Sequence, residues 1–152
     1  TPAAFITGSG NIYSFSDVLD FDLIVQPGTA HTALGSRPIT VALQLSVLGS
    51  DLDFSSVKLL GQNWTSKTVL ATGAASGPGG TGTGVDNEYL FIWQLSAALP
   101  VYTFDFSARD TSLSLEALSV DIGPARVVTV PPVVIPPVIV PPPATVVPLP
   151  PA

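Results

Sequence analysis

Residues 38–49, PITVALQLSVLG, alternate between apolar and small or polar residues for nearly their whole length. Ile39, Val41, Leu43, Leu45 and Val47 fall on one face; Thr40, Ala42, Gln44 and Ser46 fall on the other. Successive side chains of a strand point to opposite faces, so this spacing predicts a strand with one buried side. VYTFDFSA (101–108) repeats the pattern, with Tyr102, Phe104 and Phe106 opposed by Thr103, Asp105 and Ser107. Residues 20–26 set Phe21, Leu23 and Val25 against Asp20, Asp22 and Gln26, with Ile24 as the exception. EYLFIWQL (88–95) is apolar on both faces, which predicts a central strand. In SLSLEALSVDI (112–122) the apolar parity changes: Leu113 and Leu115 share one register, and Leu118, Val120 and Ile122 share the other. A β-bulge near Glu116–Ala117 brings both sets to one core.

Weaker strand patterns cover residues 11–17, 56–61 and 66–72. Turn-forming residues separate the segments at Gly8-Ser9-Gly10, Pro27-Gly28, Gly49-Ser50-Asp51 and Gly123-Pro124. About eight strands at short spacing, without a helical repeat, predict an all-β fold: an antiparallel β-sandwich or jelly roll. GAASGPGGTGTG (73–84) reads as a long Gly-rich loop between two of the strands. The pattern ends at Arg126, so residues 1–126 form the predicted sandwich domain and 127–152 an extended Pro-rich tail.

The tail is uncharged and repeats PPVVI-PPVIV-PPPAT with a period of five. Pro-Pro pairs hold the backbone in polyproline-II or edge-strand geometry. At about 3.1 Å per residue the segment reaches roughly 80 Å, further than the domain is wide. A period of five matches neither the two-residue repeat of a strand nor the three-residue repeat of polyproline II, so apolar groups face every side. Spacers that stand free in water usually carry Thr, Ser, Glu or Lys in place of Val and Ile. Burying one Val or Ile stabilises by about 1.5–3 kcal/mol. The tail is therefore expected to dock on another copy of the chain through Val128, Val130, Val133, Ile135, Val138, Val140, Val146 and Leu149. VVTV (127–130) is suited to join a neighbour's sheet edge as a strand. A contact between one copy's tail and the next copy's body joins unlike surfaces and propagates into an open filament.

Composition narrows the partners. The 152 residues carry a net charge of −6, and only 11% are charged. Nucleic acid and anionic membranes select basic patches, so neither is expected as a partner. There is no Cys, which excludes disulfides, thiol catalysis and thiolate metal sites. There is also no Met, so Thr1 is expected to follow something removed, a signal peptide or an initiator Met. Prolines interrupt every long apolar run, and no transmembrane helix is expected.

Candidate chemistry is sparse. Gly77, Gly79 and Gly82 spell a dinucleotide fingerprint, but a strand pattern follows where a helix is needed. His31 is the lone histidine, in QPGTAHTALGS (26–36) without a nucleophile elbow. Asp17, Asp20 and Asp22, Asp51 with Asp53, or Asp86 with Asn87 and Glu88 offer oxygen ligands to calcium, but strand faces and turns account for them equally. Asn63-Trp64-Thr65 is a glycosylation sequon. Trp64 and Trp93 are able to stack on sugars, although a core place is commoner for Trp. No cofactor is expected, and the chain is read as a non-enzyme.

The C-terminus VVPLPPA (146–152), following SLEALSVDIG (114–123), resembles bacterial exported proteins of the PEP-CTERM class, which exosortases sort. Their signal opens with a short Pro motif after a last strand; here the motif reads Pro-Leu-Pro-Pro, without a membrane segment or Arg cluster behind it. The resemblance implies a processed form, with Ala152 near the processing point and Thr1 behind a signal peptide. It also implies secretion into extracellular or cell-surface material such as a biofilm matrix. The expected function is thus a secreted structural protein, a homopolymer-forming filament subunit. The alternative is an adhesin or glycan-binding module with the tail as a stiff stalk.

Overall fold

The structure, a computed structural model, describes residues 4–14, 17–75 and 84–125. The chain forms β1 (Phe5–Ile6), β2 (Ile12–Tyr13), β3 (Asp20–Val25), α1 (Thr29–Thr32), β4 (Ile39–Gly49), β5 (Leu52–Leu59), β6 (Gln62–Asn63), β7 (Ser66–Ala75), β8 (Gly84–Leu95), β9 (Tyr102–Ala108) and β10 (Leu113–Pro124). They build two antiparallel sheets, one in the order β1-β2-β10-β4-β8-β7 and the other β3-β9-β5-β6. The all-β sandwich expected from the alternation is present.

The buried faces are those the sequence alternation selects. Ile39, Val41, Leu43, Leu45 and Val47 of β4 are fully buried, and Tyr102, Phe104 and Phe106 of β9 close over the core from the other sheet. β8 has a strand on either side, β4 and the edge strand β7, but only Asn87, Tyr89, Phe91 and Trp93 are buried; Leu90 and Ile92 are half-buried on its outer face. A sandwich has two layers, so a second apolar face finds only its strand neighbours for cover. Aromatic contacts link the layers: Trp93 meets Phe104 edge-on at 5.7 Å, and Phe54 of β5 meets Tyr89 edge-on at 5.0 Å. Lys67 of β7 lies over the Phe54 ring at 3.5 Å.

The bulge expected in β10 is found between Leu115 and Ala117. Before it Leu113 and Leu115 face the core; after it Leu118, Val120 and Ile122 sit opposite Leu45, Leu43 and Val41. Two local expectations change. The strands β7 and β8 pair as far as Ala75 with Gly84, so Gly73, Ala74, Ala75 and Gly84 belong to a hairpin rather than a loop. Pairing with a facing strand overrides the weak strand preference of Gly and Ala. Gly77, Gly79 and Gly82 lie outside the described residues. Between β3 and β4 one helical turn, α1, forms with His31 N–H donating to the Gly28 carbonyl at 3.0 Å. Four residues are too few to display a helical repeat, so the pattern does not signal it.

The Gly49 turn is a steric requirement. Gly49 has φ +93°, and a Cβ there would lie 2.2 Å from the Ser112 carbonyl oxygen. That oxygen also accepts from the Ser50 N–H at 3.1 Å. Gly49→Ala is expected to cost about 2–4 kcal/mol, from the left-handed conformation together with the backbone clash. Urea unfolding checks it; a midpoint unchanged from the parent would show that the β4–β10 junction yields freely.

Candidate functional site

The tail residues expected to make the polymer contact, Val128, Val130, Val133, Ile135, Val138, Val140, Val146 and Leu149, lie outside the described residues. The body to which they attach has one flank that differs from the rest. β10 pairs with β4 along its whole length, but on its other side β2 pairs only with Ser114 and Leu115. The β1–β2 hairpin turns back at Thr7–Asn11, where Thr7 N–H donates to the Asn11 carbonyl at 2.8 Å. Asn11 Nδ2 donates to Ser114 Oγ and to Glu116 Oε1, each at 3.4 Å, so the hairpin stops at the bulge. From Ala117 to Pro124, among the described residues, no strand pairs with that edge.

The inner side chains of the same stretch are incompletely covered. Leu118 is 38% exposed, and Val120 and Ile122 are half-buried, while their register partners on β4 are fully buried. β5 packs over β8, and β9 reaches β8 through Phe104 and Trp93. Following both sheet orders one strand further carries β3 toward the β4 and β10 side. Phe21, Leu23 and Val25 of β3 are likewise only half-buried. Among the described residues the sandwich is therefore open along one flank, with apolar side chains from both sheets at its margin.

The other candidates occupy separate places. His31 Nε2 is 2.7 Å from the hydroxyl of the buried Tyr102, which also accepts the Leu99 N–H at 3.0 Å. The ring thus bonds a phenol of the core rather than a serine or a carboxylate. Asp51 Oδ1 accepts the Tyr89 hydroxyl at 2.7 Å and the Leu52 N–H at 2.8 Å. Tyr89 in turn accepts from Asn87 Nδ2, whose Oδ1 accepts from Thr72. Burial, then the Asp51 carboxylate, pushes the Tyr89 hydroxyl well above its ordinary pKa, so it stays a donor. Asp53 Oδ1 accepts from Ser55 N–H and Oγ, which holds its carboxyl below the ordinary value. Glu88 accepts from Gln44 across the β4–β8 pair. Among the described residues no three acids or histidines gather as a metal-holding group. Likewise no helix there is long and apolar enough to cross a membrane.

Trp93 is a core residue, its Nε1 donating to the Gln62 carbonyl at 3.2 Å. Trp64 is half-buried and donates to the Phe54 carbonyl at 3.3 Å. With Phe54, Ser55, Lys58 and Asn63 it lines a shallow depression of about 540 Å³. Asn63 of the sequon is exposed on β6.

One acidic pair has a measurable signature. Asp22 and Asp105 face each other across β3 and β9 on the outer side. Burial, then hydrogen bonding and repulsion from Asp22, raises the Asp105 pKa. A carboxyl with a raised folded pKa favours the folded state at low pH. That contribution is fully present below the ordinary value of 3.8 and is lost as pH rises through the folded value. Asp105→Asn is therefore expected to raise the melting temperature at pH 7, with the gain vanishing in acid. Equal gains at both ends of a pH series would assign the effect to packing instead.

Compared with protein-family models, curated proteins and solved structures, the chain matches none.

Proposed function

We propose that this chain is a secreted structural protein, the repeating subunit of an extracellular filament or matrix fibre, in which the tail of one copy packs along the body of the next. The observation that carries this reading is the composition of residues 127–152: twelve are Val, Ile or Leu, ten are Pro, and none is charged. Such a segment has a strong tendency to leave water. Its prolines also reduce the conformational freedom it gives up on docking. The open flank of the sandwich supports the reading from the other side, since it offers apolar surface to a partner. The resemblance of the C-terminus to exported PEP-CTERM proteins agrees with an extracellular place.

Electron microscopy of the purified full-length chain tests the proposal. Filaments or fibres of one repeating unit are expected; isolated globular particles over a wide concentration range would refute it. A second reading rests on the Phe54–Trp64 depression, where two half-buried aromatic rings lie beside Lys58 and Asn63. It makes the domain a glycan-binding adhesin on a stalk and expects isolated particles with a measurable affinity for a sugar polymer.

A further inference from the structure

One hydrogen bond fixes which backbone groups face the open edge of β10. The Ala125 N–H donates to the Pro38 carbonyl at 2.8 Å, on the β4 side. In an antiparallel pair the backbone groups of successive residues point alternately to the two edges. Gly123, Asp121 and Ser119 therefore turn theirs toward β4, and Ile122, Val120 and Leu118 turn theirs outward. The register from Ala117 to Pro124 is unbroken, so the alternation holds throughout. These three are the residues whose side chains lie half-covered on the inner face. Among the described residues, unpaired backbone groups and incompletely covered apolar side chains coincide on one eight-residue stretch, as they do where a sheet lacks a strand.

We infer that Val127–Val130 of a second copy adds as a strand along Ala117–Pro124, with Val128 and Val130 closing over Leu118, Val120 and Ile122. The inference rests on the proposed tail-mediated assembly and names its docking site. The occupant follows from the chain left over: the described fold stops at Ala125, and 27 residues remain beyond it. Pairing needs N–H donors, and the tail has only two runs of four residues free of Pro, 127–130 and 144–147. All four residues of the first are β-branched and suit a strand; the second contains Ala144. A return onto the chain's own β10 would need the chain to reverse directly after Ala125, whose N–H is still held by the Pro38 carbonyl as a continuation of the β4 pairing; a second copy needs no reversal. Two of the other sheet edges, those of β7 and β3, are guarded. β7 carries a bulge between Val69 and Ala71 together with Lys67, and β3 carries Asp20 and Asp22.

The chain has no Cys, so introduced pairs report alone. Full-length chains with one Cys at Leu118, Val120 or Ile122 are mixed with differently sized, tagged chains carrying one at Val128 or Val130, then oxidised. A disulfide needs a Cα separation of about 4.4–6.8 Å, so only adjacent strands cross-link well. Mixed dimers are expected at about tenfold the yield obtained when Val69→Cys replaces the β10 variants, because only the β10 edge meets that distance limit. A chain bearing both changes is expected to give a ladder in steps of 15.6 kDa. Three positions on β10 keep the test usable if one variant folds poorly. Cross-linking confined within single chains, or preferring Val69, overturns the inference. So does filament formation without any β10 cross-link, which leaves tail-driven assembly standing but at another surface. Failure of the unmodified chain to polymerise overturns both.

Discussion

Ending the chain at Arg126 is expected to convert polymers into monomers. The change removes all twelve Val, Ile and Leu residues of the tail and none of the described fold, which ends at Ala125. Each of those side chains contributes about 1.5–3 kcal/mol when fully buried. Even partial burial of the eight named contact residues exceeds what surface charges at a rim supply, since exposed ion pairs contribute about 0–1 kcal/mol each. The body retains its core of Trp93, Phe91, Tyr102, Phe104 and the β4 aliphatics, so the shortened chain is expected to melt cooperatively. Sedimentation velocity reads the outcome directly. A single slow species for the shortened chain, beside fast heterogeneous material for the full chain, is the expected pair of traces. Polymers that survive the truncation would move the assembly contact onto the sandwich itself.

Trp93→Ala is expected to cost about 3–5 kcal/mol, the range for emptying a large buried aromatic site. Trp93 is 1% exposed and lies between the two sheets. Its ring meets Phe104 of the opposite layer at 5.7 Å and Phe91 of its own strand at 6.4 Å. Its Nε1 holds the Gln62 carbonyl of β6 at 3.2 Å, so truncation also leaves that group without its partner. Domains of this size are stable by about 5–15 kcal/mol, so the loss is a large share of the whole. Urea unfolding followed by circular dichroism is expected to show a lower midpoint with an unchanged slope. Trp93→Phe keeps an aromatic ring but not the Gln62 bond and is expected to fall between the two. A parent-like midpoint for Trp93→Ala would mean that the two layers do not depend on this contact.

Alternation by itself determined the all-β class, the faces that are buried and the bulge of β10. Each of these is written in neighbouring residues: Ile39 to Val47 choose a face every second residue, and Leu113, Leu115 and then Leu118, Val120, Ile122 record the change of parity. The turn at Gly49 was legible for the same reason, although the Ser112 oxygen that demands a glycine was not. Tail composition also stood in the sequence, and with it the expectation of a docking segment. Tertiary structure alone decided the strand order, and so decided that β2 stops at Leu115 and that, among the described residues, Ala117–Pro124 has no neighbour on one edge. It likewise brought His31 to Tyr102 and set Asp22 against Asp105. The physical reason is range. A period of two is a property of consecutive residues, whereas an unpaired edge or a facing carboxyl depends on which distant segments come together, and no local pattern encodes that.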